Sequence, residues 1–206
     1  MQAEDAPLLE MDVPQDRLPG FFPLLGGGFD IHTEVGLTLS EWFARQPGLD
    51  ARYLKERVQT IFLDGRAVDD ADRAVLHDGA TLALSAAMPG LVGATFRKGG
   101  RYAALRDVIS YGGRDDMPSI AGDGTLRLKL FNMVAAEIGP LFLSRGIRVA
   151  GADLAGFLET LPETFRRDCR AIRLGGRPIA FTDLVSSLAD APRVRLRVRC
   201  PDENPG

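Results

Sequence analysis

The chain is poor in the side chains on which catalytic chemistry usually rests. Its 206 residues include two cysteines, Cys169 and Cys200, and two histidines, His32 and His77. Two cysteines make no disulfide framework, and no Cys-x-x-Cys or His-x-x-x-His spacing offers the convergent ligands of a metal cage. No apolar run reaches the roughly 18 residues that span a bilayer, and the acidic N-terminus is unlike a secretory signal. A cytoplasmic protein with no membrane contact, metal or cofactor is expected, and an enzyme is the least favoured class. Gly26-Gly27-Gly28 lacks the lysine and the strand-to-helix setting of a phosphate-cradling loop, so it reads as a turn. Asp69, Asp70 and Asp72 lack converging partners and read as a solvated loop.

What the chain does contain is a self-match. Ile61-Phe62-Leu63-Asp64-Gly65-Arg66-Ala67-Val68 returns as Ile172-Arg173-Leu174-Gly175-Gly176-Arg177-Pro178-Ile179. Each copy is an apolar strand, a glycine turn that needs positive φ, an arginine and a short apolar stub, the pattern of a tight hairpin. Upstream, Leu39 to Pro47 matches Leu154 to Pro162, with apolar residues at helical spacing and a terminating proline. Downstream, Asp78 to Leu84 matches Asp190 to Val198, a turn running into an alternating strand. Self-similarity of this kind points to two copies of one unit.

Hydrophobic residues make up 45% and charged residues 26%, the range of an ordinary soluble globular protein. The net charge of −3 is unevenly spread: residues 1–100 hold 9 Lys+Arg against 15 Asp+Glu, residues 101–206 hold 16 against 13. Halves of opposite sign suggest head-to-tail contact between copies or an intramolecular interface.

In chain order, residues 1–17 read as a loosely held acidic arm. Phe21 to Leu25 and Phe29 to Val35 read as a first strand pair, Thr38 or Ser40 as the cap of a helix carrying Trp42 and Phe43, and Arg52 to Arg57 as a polar connector. A glycine- and charge-rich linker is expected over 95–124, where Gly99-Gly100 reads more simply as linker than as a cleavage site. Leu126 to Leu130 alternates as a strand; Met133 to Ile138 reads as a helical turn broken at Gly139-Pro140, Leu141 to Val149 as a strand, and Asp153 to Leu161 as a helix capped by Asp153. The last strand is the clearest periodic signal. Val194, Leu196, Val198 and Cys200 face one way, and Arg193, Arg195, Arg197 and Arg199 the other. Four arginines cannot be buried without partners, so they face water or an acidic surface. Valine and leucine, not stacking aromatics, interleave them, which argues against nucleic acid. Cys169 stands among Arg166, Arg167, Asp168 and Arg170, a setting read as favouring thiolate if exposed, but it aligns with Val58 in the other copy, which favours a buried structural thiol. Cys200 carries the same two readings.

A strand pair, helix, strand, small hairpin and last strand resemble the β-grasp order of ubiquitin-like proteins. The Asp78 to Leu84 strand followed by Met88-Pro89-Gly90-Leu91-Val92-Gly93 looks like the end of the molybdopterin-synthase small subunit, with the thiamine sulfur carrier as a relative. Arg193 to Arg199 looks like the basic end of ubiquitin. Two such units resemble bacterial two-domain ubiquitin-like modifiers. The resemblance implies an α+β fold of two tandem β-grasp domains at 18–94 and 125–200, with a tail at 201–206. It also implies a modifier or carrier handled through that tail (Cys200, Pro201, Gly206) by an E1-like activating enzyme, an E2-like protein and a JAB-type protease, with a place in antiphage defence. The arginine ladder would then meet a partner. The sequence departs from the family in ending Asn204-Pro205-Gly206. A non-conjugated β-grasp scaffold that self-associates through strands and charged faces is the alternative.

Overall fold

Alternating burial begins earlier in the chain than its acidic composition suggests. The structure, a computed structural model, describes residues 6–49, 51–86 and 121–201. Leu8–Asp12 form strand β1, in which Leu9 and Met11 are fully buried while Glu10 and Asp12, on the other face, are only partly covered. The expectation of a loose arm over 1–17 is thereby corrected for residues 8–12: a period of two lets five residues bury their apolar side and keep their acids on the other face. Ten strands, paired in both parallel and antiparallel senses, and seven α-helices make the described chain a mixed α/β protein.

Two units divide it, one comprising Met1–Phe29 with Gly139–Gly206, the other Asp30–Ile138. They are called here the end unit and the middle unit, after their places in the sequence. The expected boundaries at 18–94 and 125–200 are not followed, since residues 122–131 fall in the unit with residues 30–86, and residues 8–12 fall with the C-terminal half.

The middle unit holds β2 (Phe29–Val35), α2 (Leu39–Arg45), α3 (Ala51–Glu56), β3 (Thr60–Leu63), β4 (Arg66–Ala67), β5 (Thr81–Ser85) and β6 (Gly122–Phe131), in the sheet order β4-β3-β5-β6-β2. β3 runs antiparallel to β4 and β5, and β5 parallel to β6. The expected hairpin is present, with Asp64 and Gly65 both at positive φ. Of the two candidate caps, Thr38 serves: its hydroxyl accepts from the Glu41 N–H, and the Glu41 carboxylate accepts from the Thr38 N–H, closing a capping box. Trp42 and Phe43 are buried beneath the helix, and the Trp42 indole donates to Thr33 Oγ1 at 2.9 Å. Residues 52–57, expected as a connector, mostly form α3, which buries Leu54.

The end unit holds β1, a 3-10 turn over Gln15–Phe21, α1 (Phe22–Gly27), β7 (Ile147–Val149), α5 (Gly151–Thr160), α6 (Glu163–Asp168), β8 (Ala171–Leu174), β9 (Arg177–Pro178), α7 (Phe181–Ala189) and β10 (Val194–Arg199). Between β6 and β7 runs α4 (Asn132–Arg145), and the division between units falls inside it, at Ile138/Gly139. The sheet order is β7-β10-β1-β8-β9, with β1 parallel to β10 and antiparallel to β8. Phe21 anchors the helical side, its ring 5.8 Å from Phe157 and 5.5 Å from Phe165.

Three further expectations are corrected here. Residues 21–25 are helical where a strand was expected, and only Phe29–Val35 is extended. α4 continues through Gly139 and Pro140, because Val134, Ala135, Ile138, Phe142 and Leu143 form one buried helical face whose packing outweighs the poor local propensity. Gly139 has a packing reason of its own, since a Cβ there would lie 2.5 Å from Leu25 Cδ1. α5 starts two residues before Asp153, with Ala150 at its N-cap and no side-chain cap.

The repeat is visible in both units as a helix followed by a hairpin, and Leu39 and Leu154, like Phe43 and Leu158, are matched buried pairs. The strand after the hairpin differs. In the middle unit β5 pairs with hairpin strand β3, but in the end unit β1 lies between β8 and β10. Interleaving also changes the electrostatics. The end unit carries 12 Lys+Arg against 13 Asp+Glu, a net of −1, and the middle unit 13 against 15, a net of −2. The opposition of charge between sequence halves therefore does not survive as an opposition between folded units.

Candidate functional site

On β10 the two-residue period separates core from surface. Val194, Leu196 and Val198 are buried, and Arg195, Arg197 and Arg199 occupy the other face; Arg193 lies exposed just ahead of the strand. The parallel register sets Arg197 beside Glu10 and Arg199 beside Asp12, and the antiparallel register sets Glu10 beside Arg173 of β8. Arg199 Nη2 donates to Glu10 Oε1 at 2.8 Å, and Arg197 Nη1 donates to the same oxygen at 3.3 Å. Asp12 lies between Arg199, 3.5 Å away, and Arg173, 3.8 Å away. For Arg197 and Arg199 the acidic neighbours are thus on the chain's own first strand. Each such pair contributes on the order of 0–1 kcal/mol at a wet surface, so register is held mainly by Leu9, Met11, Leu196 and Val198 on the buried side.

Arg195 is engaged differently. Opposite Arg148 of β7 in the register, it donates from Nη2 to the Arg145 carbonyl at 3.1 Å. Arg145 is the last residue of α4, where unsatisfied carbonyls and the helix dipole favour a cation.

The tail residues are placed less fully. β1 and β10 end together at the Val13 N–H to Arg199 carbonyl bond of 2.9 Å, after which Cys200 is half-buried and Pro201 exposed. Burial pushes the Cys200 thiol above its ordinary pKa. Gly206 lies outside the described residues, as do Met88 to Gly93, Gly99, Gly100 and residues 95–120 of the expected linker. Cys169 is half-buried, and burial first, then the Asp168 carboxylate, pushes its thiol up to about 11. Its neighbour Arg166 has its guanidinium on the Leu161 and Glu159 carbonyls at 3.1 and 2.8 Å and lies over the Phe181 ring. Arg166 lines a groove of about 540 Å³ together with Phe181, Thr182 and Val185.

His32 is exposed on β2, while His77 lies close to two acceptors, Asp64 Oδ2 at 2.7 Å and the Asp78 carbonyl at 2.9 Å. Asp64 also accepts from the Thr81 N–H, so this cluster ties a turn to the hairpin. Gly26 and Gly27 close α1, and Gly28 ends it at φ 107°. Among the described residues no group of three His, Cys, Asp or Glu could hold a metal ion, and no helix is long and apolar enough to cross a membrane.

Sequence reasoning missed Glu10, Asp12, Arg148 and Arg173 as members of the arginine face. For the two acids the signal was present in the alternation Leu9-Glu10-Met11-Asp12-Val13, overlooked within a proline-flanked acidic stretch. No family model, curated protein or solved structure matches the chain.

Proposed function

We propose that each unit is a β-grasp sheet with one strand exchanged, and that the protein is a non-conjugated, ubiquitin-like interaction protein. One observation carries this reading: the strand after the end unit's hairpin does not pair with it, because β1 takes that place. A carrier handled through its tail should present that tail from the strand that completes the hairpin's sheet, as β5 does in the middle unit. β10 is instead held between β7 and β1, and its charge-paired face supports the interaction reading. The test is a search, by denaturing electrophoresis with thiol present and by intact mass, for covalent higher-mass forms of the protein in its native cell. The reading predicts the free chain alone; a ladder of linked species would overturn it.

Exposed Pro201 favours a second reading, the tandem modifier acting with an E1-like enzyme, an E2-like protein and a JAB-type protease. Pro201 itself lies beyond the last strand bond and is exposed to such partners. Incubation with an E1-like enzyme and ATP should then produce an adenylate or thioester at the tail, whereas the first reading predicts none.

A further inference from the structure

We infer that the face formed by β10, β1 and β8 docks an extended acidic protein segment whose carboxylates stand two residues apart. The inference rests on the interaction reading above and adds the chemistry of the partner.

The face is layered. Glu10 and Asp12 side chains are 15% and 20% exposed, whereas Arg197, Arg199 and Arg173 are 29%, 47% and 41% exposed. Guanidiniums thus form the outer layer over two carboxylates, three against two. Each guanidinium has five N–H donors, and among these charge contacts only Arg199 Nη2 to Glu10 is short, at 2.8 Å; Arg197, at 3.3 Å, and Arg173, at 3.8 Å, are held more loosely. The carboxylates orient the arginines without satisfying them, so an arriving carboxylate meets donors already gathered in place.

The identity of the occupant follows from what the face already accepts. Arg197 and Arg199 are two residues apart on β10, a separation of about 6.8 Å along a strand, and the groups they contact are Glu10 and Asp12, also two residues apart on an extended chain. A partner segment with Asp or Glu at alternate positions repeats that spacing. A nucleic acid fits less well: none of the residues that β10, β1 and β8 place on this face is an aromatic on which a base could stack.

The experiment uses the full chain and a labelled short peptide alternating Glu with Thr, read by fluorescence anisotropy at low and at about 0.3 M salt. Controls are the same peptide with Gln for Glu, and a single-stranded oligonucleotide. The expected result is salt-sensitive binding of the Glu peptide, no binding of the Gln peptide, and at least about fivefold weaker binding by Arg173→Gln/Arg199→Gln. Glu10→Gln, which releases donors of Arg197 and Arg199, should bind several-fold tighter, a gain that a misfolded variant would not show. Absence of binding at low salt, equal binding of the Gln peptide, tighter binding of the oligonucleotide, or weaker binding by Glu10→Gln would each overturn the inference. Covalent linkage in cells would overturn the interaction reading whatever the peptide does, and absence of peptide binding would overturn this inference alone, so the two failures are told apart.

Discussion

At Cys169 two effects of opposite sign compete, and distance decides between them. Nearby arginines lower a thiol pKa only when their charge reaches it; Arg166 is turned to the end of α5, while the thiol itself is half-buried beside Asp168. Burial and a carboxylate both oppose the thiolate, so the pKa rises to about 11. Two results follow. Alkylation of the native protein at Cys169 should accelerate about tenfold per pH unit through pH 8–10, at rates at least tenfold below those of a free thiol at neutral pH. A plateau near pH 8.5, followed by peptide-resolved mass spectrometry, would contradict this. The sign for stability is fixed by the same shift: the folded state prefers the neutral thiol, so its contribution is complete below the unfolded-state pKa near 9 and is lost as pH rises toward 11. The sequence supported both a reactive and a buried thiol at this position, because the direction of Arg166 depends on α6 packing behind α5.

Among the elements, α5 and α7 approach each other closely at one glycine. A Cβ at Gly151 would stand 2.2 Å from both the Leu188 and Ala191 carbonyl oxygens, and these are backbone atoms that cannot turn aside. Gly156, five residues along the same helix, is exposed and would meet nothing within 4 Å. The two glycines therefore predict opposite effects. Gly151→Ala should destabilise by about 2 kcal/mol or more through overpacking, and Gly156→Ala should stabilise by about 0.5–1 kcal/mol through helix propensity. Thermal unfolding of both variants beside the parent checks the pair, and equal shifts would mean that α5 and α7 do not pack as described. At this scale much was legible: α2, the two hairpins, β5 and β10 lie where apolar spacing and glycine turns placed them, and α5 is shifted only at its start. α7 was not, because its apolar residues Leu184, Val185 and Leu188 are diluted by serines; nor was the run of α4 through Pro140, which depends on a buried face that local rules do not see.

For the whole chain, the main departure from expectation is the crossing of strands between sequence halves. Composition alone assigned residues 1–17 to solvent, yet Leu9, Met11 and Val13 are completely buried, and β1 is bonded on both sides, to β10 and to β8. No local pattern could assign its neighbours, since register with strands more than 150 residues away depends on which apolar faces remain uncovered once the hairpin has formed. The interleaving makes β1 a central strand, and central strands open only with the unit that contains them. Native-state hydrogen exchange should therefore show the amides of residues 9–13, the bonded Val13 N–H included, protected to the same level as those of 195–199. A loose arm would exchange within seconds at neutral pH, and removal of salt pairing would not alter that. If Met11→Ala is introduced, a buried side chain is lost from between β10 and β8. Both segments should then lose protection together, by about 2–5 kcal/mol in opening free energy. Loss of protection at residues 9–13 alone, with β10 unchanged, would show that β1 is an appendage to a sheet complete without it.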